Sequence, residues 1–229
     1  MVNGIVLLFI VFYSIVTFRK ARLWSSGIAI WTAATLQGRG EKSRAWQELG
    51  AHYKVGGDRE RASACFARAL TLNPRLAPAL RNLAWLRVEQ GRMNEALDLL
   101  RLCTERNPDH WAGWEDYGLL LEGSGQDAWT AYRMAIRFNP QAHVAMTRLG
   151  MRAFHQSNYE SARQYFARAH QIEPGSAEYR WNLACALRQM GRAAEAQPLL
   201  VGFPQHFQLT PNMVVPPEVR DKSLAPAAR

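Results

Sequence analysis

Apolar and small residues recur along the chain in a fixed order, set out most fully between Trp46 and Pro74. Trp46, Leu49, Gly50 and Tyr53 are spaced to share one face of a helix. Ala62, Phe66 and Ala69 do the same on a second helix. Gly57-Asp58 between the two apolar runs predicts a turn. Pro74 stops the second helix at Asn73, because the residue before proline is driven out of helical geometry. The small residues Gly50 and Ala62 are expected where the paired helices come closest.

The order then repeats. Adding 34 to Pro74 gives Pro108, 32 more gives Pro140, and 34 more gives Pro174. First helices carry Leu80, Leu83 and Ala84; Trp114, Tyr117 and Gly118; Met146, Leu149 and Gly150; then Leu183 and Ala184, with Trp181 one place late. Second helices carry Ala96, Leu100 and Cys103; Ala128, Tyr132 and Ala135; Ala162, Phe166 and Ala169; then Ala196 and Leu200. The two residues missing from the third copy fall near Gly123-Ser124-Gly125, which predicts a shortened loop between helices of unchanged length. Pro198 falls early in the last second helix and predicts a short or kinked one. These landmarks resemble the signature of the tetratricopeptide repeat (TPR) family. The resemblance implies an all-α solenoid of about five repeats over residues 43–203, in which each unit touches only its neighbours. Its units start near residues 43, 77, 111, 143 and 177.

The ends of the chain read differently. Met1 to Phe18 holds no charged residue, and its only polar positions are Asn3, Ser14 and Thr17. Eighteen helical residues reach about 27 Å, close to the roughly 30 Å of a bilayer's hydrocarbon core. No basic residue precedes the run and no small-x-small cleavage site comes after it, which favours an uncleaved transmembrane helix over a signal peptide. Arg19, Lys20 and Arg22 flank it, so residues 1–22 are expected to anchor the chain in membrane lipid with the repeats cytoplasmic. The junction from Thr17 to Trp24, followed by Ile30-Trp31, resembles the C-terminal part of TPR-containing multi-spanning glycosyltransferases. In that family the repeats lie outside the cytoplasm, so both sides stay open; the catalytic membrane part is missing, and no transferase activity carries over. One span followed by repeats also resembles the lipopolysaccharide assembly protein B family, whose Cys-x-x-Cys metal module has no counterpart here. The setting implied is a bacterial-type inner membrane.

Residues 23–42 form a membrane-proximal stretch too short to cross a bilayer. Gly27, Trp31 and Ala34 repeat the spacing of Ala62, Phe66 and Ala69, which predicts a degenerate second helix covering the first repeat. A helix lying on the membrane surface is the alternative. Residues 204–229 are rich in proline and are expected to form a disordered tail. Its apolar run Met213-Val214-Val215 either folds back on the open end of the array or binds a partner.

Charge and chemistry narrow the function. The formal net charge is +9, from 28 basic and 19 acidic residues, which fits nucleic acid, anionic lipid or acidic protein partners. Cys65, Cys103 and Cys185 fall at helical core positions. His52, His110, His143, His155, His170 and His206 show no metal-ligand spacing. Gly56-Gly57 is an inter-helix turn, not a phosphate loop, and Glu115-Asp116 reads as a solvated helix face. Nothing supports an enzyme, a cofactor or a small-molecule substrate. The side-chain sets that read RNA bases repeat by repeat do not recur, which argues against nucleic acid.

In the TPR family the first helices line a concave groove that holds a peptide or a partner helix. Carried over by register, the groove positions are Gln47 and Ala51; Arg81, Asn82 and Trp85; Glu115 and Leu119; Thr147 and Met151; then Trp181, Cys185 and Arg188. Asn82 and Asn182 match a position at which some family members hydrogen-bond a ligand's backbone. Gln47 and Ala51 stand where the carboxylate-binding type has Lys and Asn, so that mode is not expected. Trp85, Leu119, Met151 and Trp181 among scattered arginines suit an amphipathic, partly acidic segment of a protein partner. The alternative is that Trp85 and Trp181 pack within the array. The resulting expectation is a membrane-anchored protein-interaction scaffold. An accessory of a glycan-assembly system and an RNA-binding helical repeat stand behind it.

Overall fold

The computed structural model describes residues 27–36 and 42–203, and among them every regular element is helical. Residues 1–22 and 204–229, with the expected anchor and tail, lie outside the described residues. Among the described residues no helix is long and apolar enough to cross a membrane.

The helices gather in two compact units, divided between Pro108 and Asp109. Unit 1 holds α1 (residues 27–36), α2 (Lys42–Val55), α3 (Arg59–Leu72), α4 (Ala77–Glu89) and α5 (Met93–Arg106). Unit 2 holds α6 (Trp111–Gly123), α7 (Trp129–Phe138), α8 (His143–His155), α9 (Tyr159–Ile172) and α10 (Ala177–Gln189), then α11 (Ala193–Ala196), which passes into a 3-10 turn over Gln197–Leu200. Pro198 sits in that turn, so the last second helix is short, as its missing N–H requires. Within each unit a first helix packs on the second helix that follows it, and that second helix packs on the next first helix.

Each pair is locked by an aromatic or aliphatic side chain from its second helix. Phe66, Leu100, Tyr132 and Phe166 are almost wholly buried. Opposite three of them the first helix has glycine. A Cβ on Gly50 would come 2.7 Å from Phe66 Cε1, on Gly118 2.6 Å from Tyr132 Cε1, and on Gly150 2.5 Å from Phe166 Cε1. The small residue therefore makes room for a ring, not for a second backbone. Burying one such ring contributes about 2–3 kcal/mol, and the ring has no other place to go.

The turns inside the pairs are also repeated in detail. The amide after the turn returns to a carbonyl five residues back: Asp58 N donates to Tyr53 O, Arg92 to Arg87, Gln126 to Leu121, Asn158 to Ala153 and Arg192 to Leu187, all at 2.8–2.9 Å. The residue just before each donor lies in the left-handed region. It is Gly57, Gly91, Gly125 and Gly191 in four turns and Ser157 in the fifth, at φ +59°. Asp58 and Asn158 then cap α3 and α9, accepting from the amides of Arg61 and Ser161. At the other end Asn73, Asn107 and Asn139 leave helical geometry before the proline that comes next to each.

The third pair departs from the expected plan. The loop is not shortened: residues 124–128 separate α6 from α7, against three residues in the other four turns. The shortfall is taken from α7, which has 10 residues where α3, α5 and α9 have 14. Gly125-Gln126-Asp127 is too polar and too poor in helix formers to begin the helix earlier. At the start of unit 1, α1 lies against α2, where a Cβ on Gly27 would meet the His52 ring at 2.5 Å. Trp31 and Ala34 are half-buried and Thr35 is buried, while Ile30 and Leu36 stay exposed.

Two substitutions test this frame. Gly150→Ala should destabilise unit 2 by about 1–3 kcal/mol through overpacking on Phe166, while Gly123→Ala, with open space around it, should be neutral or slightly stabilising. Chemical denaturation of both variants measures the contrast, and equal midpoints would refute the ring-on-glycine account. Ser157→Gly should stabilise the protein by about 1 kcal/mol by relieving the left-handed backbone of a side chain. A lowered melting temperature would contradict it.

Candidate functional site

The register positions fall on the first helices of each unit. In unit 1 they lie on α2 and α4. Gln47 is buried, while Arg81, Asn82 and Trp85 are half-buried. Lys54 Nζ donates to Asn82 Oδ1 at 3.1 Å, which fixes the amide's orientation and points its NH2 group away from the lysine.

In unit 2 they lie on α6, α8 and α10, and several are already engaged. Glu115 Oε1 accepts from Ala145 N at 3.1 Å, in the first turn of α8, where amides lack helical partners and the helix dipole favours a carboxylate. Asp116 is buried, so the acidic pair is not the solvated face its composition suggests. Thr147 is 4% exposed and its Oγ1 donates to His143 O at 2.9 Å, leaving it little to offer a partner. Leu119 and Met151 are half-buried and Arg188 is exposed. His143, Tyr179 and Glu173 form a chain beside this face, with His143 Nδ1 2.7 Å from Tyr179 Oη and His143 Nε2 3.2 Å from Glu173 Oε1. Burial, then the neighbouring carboxylates, push the Tyr179 phenol well above its ordinary range.

Trp181 and Asn182 correct the expectation of an open groove at α10. Trp181 is 2% exposed because Phe203 lies on it, with ring centroids 5.3 Å apart and planes 33° apart. The Arg180 guanidinium lies over the Phe203 ring at 5.2 Å, and its Nη1 donates to Val201 O at 3.3 Å. Gly202, at φ +88°, turns the chain into this position. Asn182 is fully buried, and among the described residues neither its Nδ2 nor its Oδ1 has a hydrogen-bond partner. Leaving such a group unpaired costs roughly 1–3 kcal/mol, so the residue is not explained by stability.

A second concavity results from the short α7. A cavity of about 670 Å³ opens between the 124–128 linker, the start of α7 and the C-terminal half of α8. Trp129 lies in it under two guanidiniums, Arg152 at 5.3 Å and Arg133 at 5.8 Å. Arg152 is paired with Asp127, and Arg148 Nε lies 3.7 Å from Glu122 Oε2. The hydrogen bond from Arg152, then the amide of Trp129, hold the Asp127 carboxyl below its ordinary range. Tyr132 Oη donates to Glu122 Oε2 at 2.7 Å. The positive and negative groups balance, so the cavity has no net preference for an ion of either sign.

Reactive chemistry is not assembled here. Among the described residues no cluster of His, Cys, Asp and Glu is placed to hold a metal. The Cys65 and Cys185 thiols are buried, and burial pushes them up to about 11 and about 12, far from a nucleophilic thiolate at neutral pH. Phe203, Arg180 and Trp129 carry no repeat signature, so sequence reasoning does not reach them. The signals for them are weak: Gly-Phe just past the last repeat, and the polar run 123–127.

Family models described as tetratricopeptide repeat match residues 153–213 and residues 79–110. A curated relative, tetratricopeptide repeat protein 37 of Xenopus laevis, is 29% identical over 160 residues, 67% of this chain. The match spans only 10% of that relative's length. Among solved structures, pilF of Pseudomonas aeruginosa superposes with a TM-score of 0.64 at 16% identity, covering 79% of this chain and 90% of the other. YrrB, described as a TPR protein with an unusual peptide-binding site, gives 0.59 at 19%, covering 77% and 93%. MamA gives 0.57 at 19%, covering 67% and 91%. At these identities the structures establish likeness of fold. The two family matches make residues 79–110 and 153–213 similar to tetratricopeptide repeats, and the ring-locked helix pairs have the fold of those structures.

Proposed function

We propose that this protein is a membrane-anchored interaction scaffold, holding a peptide or helical segment of a partner protein on its first-helix faces. The observation that carries this reading is the set Trp85, Leu119 and Met151: large apolar side chains on first helices that packing leaves only half-covered. Tetratricopeptide repeats are generally non-enzymatic scaffolds, and YrrB is described as binding peptide. Exposed arginines on first helices of unit 2, Arg152 on α8 and Arg188 on α10, suit a segment with acidic residues. Residues 1–22 hold the chain in a bacterial-type inner membrane, and Arg19, Lys20 and Arg22 favour repeats on its cytoplasmic side.

Trp85→Ala and Leu119→Glu in the full chain test the scaffold. Each should keep its helical circular dichroism yet lose partners captured from detergent-solubilised membranes, with Trp85→Ala weakening capture roughly thirtyfold. Folded variants that capture the wild-type set would remove the first-helix faces from consideration. Alkaline phosphatase fused after Arg229 should be inactive. Strong activity would put the repeats on the opposite side.

A further inference from the structure

We propose that residues 204–210 of this same chain bind along the first-helix face of unit 2, continuing the contact that Phe203 begins. The proposal goes beyond the scaffold reading: the segment occupies Met151 and Leu119 when no partner is bound, so a partner that takes the unit 2 face displaces it. Its starting point is fixed. Phe203 is held against the Trp181 ring and the Arg180 guanidinium, and its amide donates to Leu200 O at 3.0 Å. Trp181 occupies the place on α10 that Thr147 occupies on α8 and Glu115 on α6, so the chain is delivered onto the face carrying Met151 and Leu119. Met151 already packs against the cluster that contains Trp181 and Phe203.

The sequence after Phe203 is suited to extend that contact. In an extended strand alternate residues share a face, which places Phe203, Gln205, Phe207 and Leu209 on one side and Pro204, His206, Gln208 and Thr210 on the other. The first side is apolar at three of four positions and the second is polar, apart from Pro204, which keeps the chain extended. No residue from Ala196 to Pro217 carries a charge, His206 being neutral, in a chain that is 21% charged. Solvated tails are usually charged, and a segment that covers apolar surface is not.

The reach also matches. At about 3.3 Å per residue Phe207 falls roughly 13 Å beyond Phe203 and Leu209 roughly 20 Å beyond it. Along this face α10 touches α8, and α8 touches α6, so a segment of this length starting at Trp181 runs past α8 toward α6. Phe207 is thereby brought to Met151, and Leu209 to Leu119. Both targets are half-buried apolar side chains.

Photo-crosslinking in the purified full chain tests this without any partner present. With Phe207 replaced by p-benzoylphenylalanine, irradiation should give an intramolecular product joined to α8 or α6, with Met151 the main acceptor. Attachment to α7 or α9, a product joining two chains, or no product would overturn the proposal. Phe203→Ala in the same chain should reduce the product about tenfold, because the start of the segment is no longer held. Unchanged helical circular dichroism and slow alkylation of Cys185, which is buried in unit 2, report that the variant is still folded. Undiminished crosslinking in a folded variant would show that Phe203 does not place the segment.

Discussion

The structure depends on one contact made over and over: a bulky side chain of a second helix seated where the first helix has no side chain. Gly50 under Phe66, Gly118 under Tyr132 and Gly150 under Phe166 leave less than 3 Å for a Cβ. This steric fit sets the distance and rotation of each pair, and the pairs set everything else. Because the ring fills the gap, each pair carries a small core of its own, and stacking joins these cores within a unit. The surface ion pairs, such as Arg92 with Glu95 and Arg101 with Asp98 and Glu105, are exposed and add little.

Regularity in the cores throws the departures into relief, and both departures are in unit 2. The third pair gives up the first turn of its second helix and gains a cavity walled by Trp129, Arg148 and Arg152. The last pair has a second helix broken by Pro198, and the chain then turns at Gly202 to set Phe203 on Trp181. The second departure bears directly on recognition. Instead of presenting an open end, α10 is buried along residues 181–187, and a fully buried Asn182 is left without a hydrogen-bond partner among the described residues.

The two first-helix faces are accordingly unequal. Unit 1 offers Trp85 and an Asn82 oriented by Lys54. Unit 2 has committed Glu115 to the start of α8, Thr147 to its own helix and Trp181 to Phe203, leaving Leu119, Met151 and Arg188. The first face provides polar orientation, and the second provides mostly apolar surface.

The sequence by itself determined the all-α helix-pair architecture, because its causes are local. Apolar spacing places helix faces, and proline excludes the helical region for the residue before it. Pro198 announced a broken last helix for the same reason. That each glycine faces a ring, not a second backbone, came from packing. Tertiary structure alone decided which polar residues are available. Glu115 and Asp116 look solvated in sequence, yet one is used at a neighbouring helix start and the other is buried, since burial depends on what packs from a distance. It decided how the third pair absorbs two missing residues, because loop and helix compete for the same polar stretch and only packing settles where the helix begins. And it decided that Trp181 is covered, because Phe203 is 22 positions away in sequence and their meeting rests on a turn at Gly202 that no repeat pattern encodes.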